Sequence, residues 1–132
     1  MTLSDEEKKA LLDARLRAAR ESLADAKRSL DAESLRGAMN RSYYAMFHAA
    51  AALAISRGVA HRKHSHLIGF FQKEYAKPEI IARQHGRAFQ KAFEDRSEAD
   101  YQDYVKFDAH QVAIRIQEAD AFIQAISAHL GV

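Results

Sequence analysis

Leu12, Leu16, Ala19, Leu23, Ala26 and Leu30 recur four and three residues apart behind the capping signal Ser4-Asp5-Glu6-Glu7. They predict a first helix with one apolar stripe, enough to cover one antiparallel neighbour. Arg15, Arg17, Arg20, Lys27 and Arg28 lie off that stripe and read as a solvated face. Asp31 is expected to cap a second helix running to about Arg57, with Gly58 as the residue that ends it. So short a connection makes helices one and two antiparallel neighbours. Within the second helix Met39, Tyr43, Met46, Ala50 and Leu53 share one stripe, while Arg41, Tyr44 and His48 share another. Ser65 is expected to cap a third helix carrying Leu67, Ile68, Phe70, Phe71 and Tyr75, stopped by Ala76-Lys77-Pro78. Pro78 then suits the first turn of a fourth helix, with Ile80, Ile81, Ala88, Phe89, Ala92 and Phe93 on one side. That helix leads into Arg96-Ser97-Glu98-Ala99-Asp100-Tyr101, and Gln102-Asp103-Tyr104 reads as a loop. Asp108-Ala109-His110-Gln111 opens a last helix that buries Val112, Ile116, Ala119, Ile123, Ile126 and Leu130. The sum is a single all-α domain over residues 1–132, a compact five-helix up-and-down bundle.

Composition narrows the function classes. Twenty basic against 18 acidic residues give a formal net charge of +2, so bulk charge is not a handle for nucleic acid and any phosphate contact must come from a local cluster. The absence of cysteine removes disulfides and thiolate zinc sites and fits a cytoplasmic location. No apolar run approaches the roughly 20 residues that span a bilayer, and the first residues do not read as a signal peptide. There is no Gly-rich phosphate loop and no Ser in a nucleophile elbow.

The polar residues on apolar helices are then the candidates. A guanidinium and an imidazole are costly to desolvate unless paired or used. Arg41 and His48 are two turns apart with Tyr44 between them. Together they could grip a phosphodiester and move a proton, or each could be satisfied in a polar layer. Arg96 and Asp100 have the spacing of a local ion pair; with Tyr101 they could instead form an anion site with a phenol donor. His61, His64 and His66 sit beside Arg62 and Lys63. No carboxylate adjoins them to complete a metal site, so none is assigned and no cofactor is expected. The segment reads as a basic rim for a polynucleotide or nucleotide phosphate, or as an ordinary exposed loop. Tyr43, Phe47, Phe70, Phe71, Phe89, Phe93 and Phe122 read as core.

Three blocks in order, Arg41-Ser42-Tyr43-Tyr44-Ala45-Met46-Phe47-His48-Ala49-Ala50, Lys63-His64-Ser65-His66-Leu67-Ile68 and Phe93-Glu94-Asp95-Arg96-Ser97-Glu98-Ala99-Asp100-Tyr101, resemble the HEPN family (higher eukaryotes and prokaryotes nucleotide-binding). The resemblance implies a small all-α bundle, commonly a homodimer. It implies the toxin half of a toxin–antitoxin pair with a nucleotidyltransferase partner, acting as a metal-independent ribonuclease on RNA. The family's ribonuclease signature is an Arg followed after four to six residues by His. Arg41 and His48 satisfy that spacing, although the signature usually lies late in the bundle. Arg96 occupies the late position, with Tyr101 where His would stand. The resemblance thus implies Arg41, His48, Arg96 and Tyr101 as catalytic residues, and the residue pattern itself offers Tyr44, Arg62, Lys63, His64 and Asp100 as phosphate or nucleotide contacts. The other reading is a non-catalytic nucleotide-binding or partner-docking helical module.

Overall fold

The computed structural model describes residues 3–60, 63–101 and 106–132, and for 99–101 the backbone alone. Five α-helices, α1 (Asp5–Asp31), α2 (Leu35–Ser56), α3 (His64–Phe71), α4 (Arg83–Tyr101) and α5 (Ala109–Leu130), make an all-α bundle, and α3 runs on into one π-widened turn, Gln72–Ala76. The expected loop at Gln102-Asp103-Tyr104 lies outside the described residues.

α1 begins as its sequence dictates. Ser4 accepts from the Glu7 amide while the Glu7 carboxylate accepts from the Ser4 amide, the reciprocal capping box. Its other end departs from expectation. Asp31 is the last residue of α1 rather than the cap of α2, because the amides of Ala32, Glu33 and Ser34 satisfy the carbonyls of Arg28, Leu30 and Ser29. Glu33 turns the chain with φ 61°, and Ser34 becomes the N-cap position of α2. The resulting hairpin is antiparallel: Arg15 meets His48 across it, and Lys8 lies beside Gly58. Gly58 ends α2 with φ 72°, as its position foretold.

The seam between α1 and α2 is made of small residues. Ala19, Ala26, Ala45, Ala49 and Ala52 are fully buried, so the two backbones can approach closely. Met39, Tyr43, Met46 and Leu53 point the other way, toward a core completed by Phe71, Phe89, Phe122 and Ile126. Leu130, expected among the buried residues of α5, is only partly buried. Asp108 caps α5 by accepting from the Gln111 amide.

The start of α4 corrects the sequence reading. Pro78 and Ile80 lie before the helix, not in it. The Glu79 amide donates to the Ala76 carbonyl, Glu79 itself has φ 61°, and the Ile81 amide returns to the Tyr75 carbonyl. This turn sends Ile81 into the core and leaves Ile80 at the surface. α3 likewise begins one residue after Lys63, so Ser65 is inside the helix rather than capping it.

α4 crosses the π-widened turn where Gly86 faces Gln72 and Ala76. The Gln72 side-chain amide donates to the Gly86 carbonyl at 2.7 Å. A Cβ at Gly86 would clash with the Gln72 side chain and lie 2.9 Å from the Ala76 Cβ. Gly86→Ala gains about 1 kcal/mol of helix propensity but overpacks this crossing. The expected net result is a loss of about 1–2 kcal/mol, read as a lower urea midpoint with unchanged m-value.

Candidate phosphate-binding site

Tyr44 is the centre of the site. On α2 it falls just off the core stripe and is half-buried. One turn before it, Arg41 places its guanidinium carbon 5.2 Å from the ring centre. From α4, Arg96 places its own at 5.3 Å and donates to the Tyr44 hydroxyl at 3.2 Å. Two guanidiniums from different helices therefore share one aromatic ring, each gaining about 0.5–2 kcal/mol from it. Arg41 donates through Nε and Nη2 to Asn40 Oδ1, at 3.2 and 2.7 Å. An amide oxygen orients that guanidinium without neutralising it, so its charge remains available to an anion.

His48, one turn beyond Tyr44, has its ring centre 6.1 Å from that of Tyr44. Arg15 of α1 donates to its Nδ1 at 3.2 Å. A guanidinium can only donate, so Nδ1 is the acceptor and the ring proton sits on Nε2. Burial, then Arg15 and Arg41, hold the His48 pKa below the usual imidazole value. At neutral pH the ring is uncharged and carries Nε2–H.

A second imidazole closes the site from α3. Tyr43 is fully buried, and its hydroxyl hydrogen-bonds His64 Nδ1 at 2.5 Å. Burial, opposed by Arg96 and aided by Tyr44, raises the Tyr43 pKa, which keeps the phenol protonated. The His64 ring stacks on Phe47 at 4.6 Å and meets Tyr44 edge-on at 5.9 Å. Burial and the Arg96 charge lower the His64 pKa. Both histidines thus remain neutral in a field of three cations.

That arrangement has a consequence for stability. His48, His64 and, by burial alone, His85 all titrate below their ordinary value in the folded protein. The unfolded chain then binds protons first as pH falls. Their contribution is complete above about pH 6.5 and is lost as pH falls from there through the folded values. Urea unfolding is expected to show lower stability near pH 5.5 than near pH 7.5. His64→Gln, which keeps an acceptor for Tyr43 but cannot ionise, should narrow that difference.

A family model described as HEPN domain matches residues 12–129. The chain belongs to the HEPN family. It is 36% identical over 120 residues to a protein of Thermotoga maritima named "UPF0332 protein", covering 91% of each chain. It is 30% identical over 115 residues to "Putative toxin MJ0605" of Methanocaldococcus jannaschii, covering 87% of this chain and 85% of that one. A shorter match, 40% identical over 63 residues, joins 48% of it to 44% of "UPF0332 protein PH1297" of Pyrococcus horikoshii.

On this HEPN bundle the structure brings Arg41, Tyr44, His48, His64 and Arg96 together. Lys63 is exposed at the start of α3, on the residue before His64. Arg62 and His61 lie outside the described residues, as do the side chains of Asp100 and Tyr101, so the expected Arg96–Asp100 pair is not described. His66 is exposed, and among the described residues no group of three histidine or acidic side chains could hold a metal ion. No described helix is long and apolar enough to cross a membrane.

Two corrections concern α1. Arg15 and Arg20 are not merely solvated: Arg15 bonds His48, and Arg20 donates to Ser127 on α5 at 3.1 Å. No sequence signal sets Arg15 apart from the other cations of α1; the docking of α1 on α2 brings it to His48. Tyr43, read as core, is also the hydrogen-bonding support of His64.

Proposed function

We propose that this HEPN protein is the toxin component of a toxin–antitoxin pair and that the Arg41–Tyr44–Arg96 cluster holds an RNA phosphodiester. The observation that carries the proposal is the convergence of two guanidiniums on Tyr44 beside the Nε2–H of a neutral histidine. Three donors of that kind suit one phosphate group. The name of the Methanocaldococcus relative supports the toxin reading. A homodimer, a cytoplasmic setting and a nucleotidyltransferase antitoxin belong to the same proposal.

Cleavage would run without a metal. The ribose 2′-oxygen attacks phosphorus as its proton passes to a base, and the 5′-oxygen leaves and takes up a proton. The products are a 2′,3′-cyclic phosphate and a free 5′-hydroxyl. Arg41 and Arg96 would stabilise the charge that builds on the phosphoryl oxygens. For His48 to accept the proton, Arg15 must release Nδ1. A bound phosphate favours this twice: it draws the guanidinium to itself and, by its charge, raises the imidazole pKa toward neutrality.

One observation favours a second reading. With Nδ1 engaged by Arg15 and Nε2 protonated, His48 has no lone pair to offer, and the same cluster would bind a nucleotide or RNA phosphate without cutting. Incubating labelled RNA with the protein and with His48→Ala, each with and without chelator, separates the two. Cyclic-phosphate products from wild type with chelator present, and about 100-fold fewer from His48→Ala, support cleavage. RNA bound but left intact supports the binding module. Loss of cutting only with chelator rejects the metal-independent mechanism.

A further inference from the structure

On the far side of α4 from Arg96 lies a groove of about 430 Å³ between the α3–π segment and the start of α4. Gly69, Gln72, Lys73, Lys77, Arg83 and Arg87 line it. An adjoining groove of about 540 Å³ shares Gln72 and Arg87, with Glu94 the carboxylate on its wall, so the depression continues along α4. We infer that this groove is a second phosphate-backbone site, a docking track for a single-stranded polynucleotide that reads charge and not sequence. The inference rests on the reading of the protein as one that engages RNA.

Charge is the first argument. Lys73, Lys77, Arg83 and Arg87 are all exposed, and they concentrate four cations in one groove of a chain whose net charge is only +2. Two carboxylates beside the main groove are already committed. Glu79 pairs with Arg83 at 3.2 Å, and Glu74 faces Arg57 at 3.8 Å. Arg83 is further held by the Lys77 carbonyl at 3.0 Å. Among the described residues, Lys73, Lys77 and Arg87 have no carboxylate within ion-pair distance. Three uncommitted like charges repel one another, and a polyanion relieves that repulsion while releasing its condensed counterions.

Shape is the second argument, and two glycines produce it. Gly86 brings α4 against Gln72 and Ala76, two residues of the π-widened turn that line the groove. Gly69 stands mid-helix in α3, where glycine is unfavourable, yet a Cβ there would meet nothing within 4 Å. The missing side chain leaves the wall open instead of serving close packing. No aromatic ring lines the main groove, so it offers no base-stacking platform. An open, continuing, cationic channel without a stacking surface fits a passing sugar–phosphate chain better than a single nucleotide.

The test uses fluorescence anisotropy of the full chain with a short labelled RNA whose 2′-hydroxyls are methylated, so that it cannot be cut. Affinity is measured across a salt series. Three groove cations should account for about two units of the slope of log K against log salt, at roughly 0.7 per single-strand phosphate. The variant Lys73→Gln/Lys77→Gln/Arg87→Gln is expected to flatten the slope by about that much and to weaken binding about 10-fold at low salt. Gly69→Glu, whose Cβ has room, should fold normally and weaken binding similarly. A DNA strand of the same sequence should compete within about threefold, whereas ATP at equal phosphate concentration should not.

Unchanged slope and affinity in both groove variants overturn the inference, and so does displacement by ATP, which would mark a mononucleotide site. Arg96→Ala in the same assay keeps the two sites apart. If only Arg96→Ala weakens binding, the groove inference falls and the functional site stands. If only the groove variants do, the groove stands and the reading of the Arg41–Tyr44–Arg96 cluster falls.

Discussion

Replacing Arg96 by alanine is expected to slow RNA cleavage about 100- to 1,000-fold, the usual effect of removing one charged donor from a developing oxyanion. The loss should appear in the rate of cyclic-phosphate formation under saturating RNA, with chelator present throughout. Arg96 is half-buried at the edge of the core, so circular dichroism should still report a helical bundle. Arg96→Lys should recover only part of the rate. A lysine ammonium is a point charge that cannot lie flat across the Tyr44 ring and donate to its hydroxyl at once. A full rate in Arg96→Ala would assign Arg96 to structure alone.

The residue before it carries the second large effect, on stability. Asp95 is 3% exposed and faces the opposite way, into the contact between α4 and α5. It accepts from Arg115 Nε at 2.7 Å and pairs with Lys91 at 3.2 Å, while Arg115 also holds Glu118 at 2.8 Å. Asp95→Ala strands a guanidinium that is nearly buried, leaving it only Glu118. The expected cost is about 3 kcal/mol, read from urea unfolding near neutral pH. Asp95→Ala/Arg115→Met should recover much of it, because removing both charges also removes the desolvation penalty. The same substitution should impair the site indirectly. With its anchor gone, the end of α4 that aims Arg96 at Tyr44 is no longer fixed.

Which parts of this were readable from the chain follows from the range of each interaction. The capping box of α1, the Asp108 cap of α5, most of the apolar stripes of α1, α2 and α5 and the glycine after α2 are local features, and these behave as their sequence implies. Asp31 and Pro78 misled for a shared reason. Both are good helix openers, but the amides and carbonyls around them were taken up by turns with Glu33 and Glu79 in left-handed backbone. Neither residue is a type that announces such a conformation. The site was legible as far as one helix reaches. Arg41, Tyr44 and His48 declare their common stripe through spacing alone. That Arg96 bonds Tyr44, 52 positions away, is a property of packing that no local pattern carries. Arg15 was hidden by its neighbours: among five cations on one helix, only docking tells which one faces an imidazole.

The Tyr44 cluster draws its groups from α1, α2, α3 and α4, with Arg15 near the beginning of the chain and Arg96 well past its middle. A ribosome delivers these in order, and helices dock as they emerge. A half-made copy therefore exposes Arg41 and His48 but lacks their essential counterpart. On the proposed RNA-cleaving reading, this timing would spare the message being translated. The cluster is complete only when synthesis of the chain is nearly over.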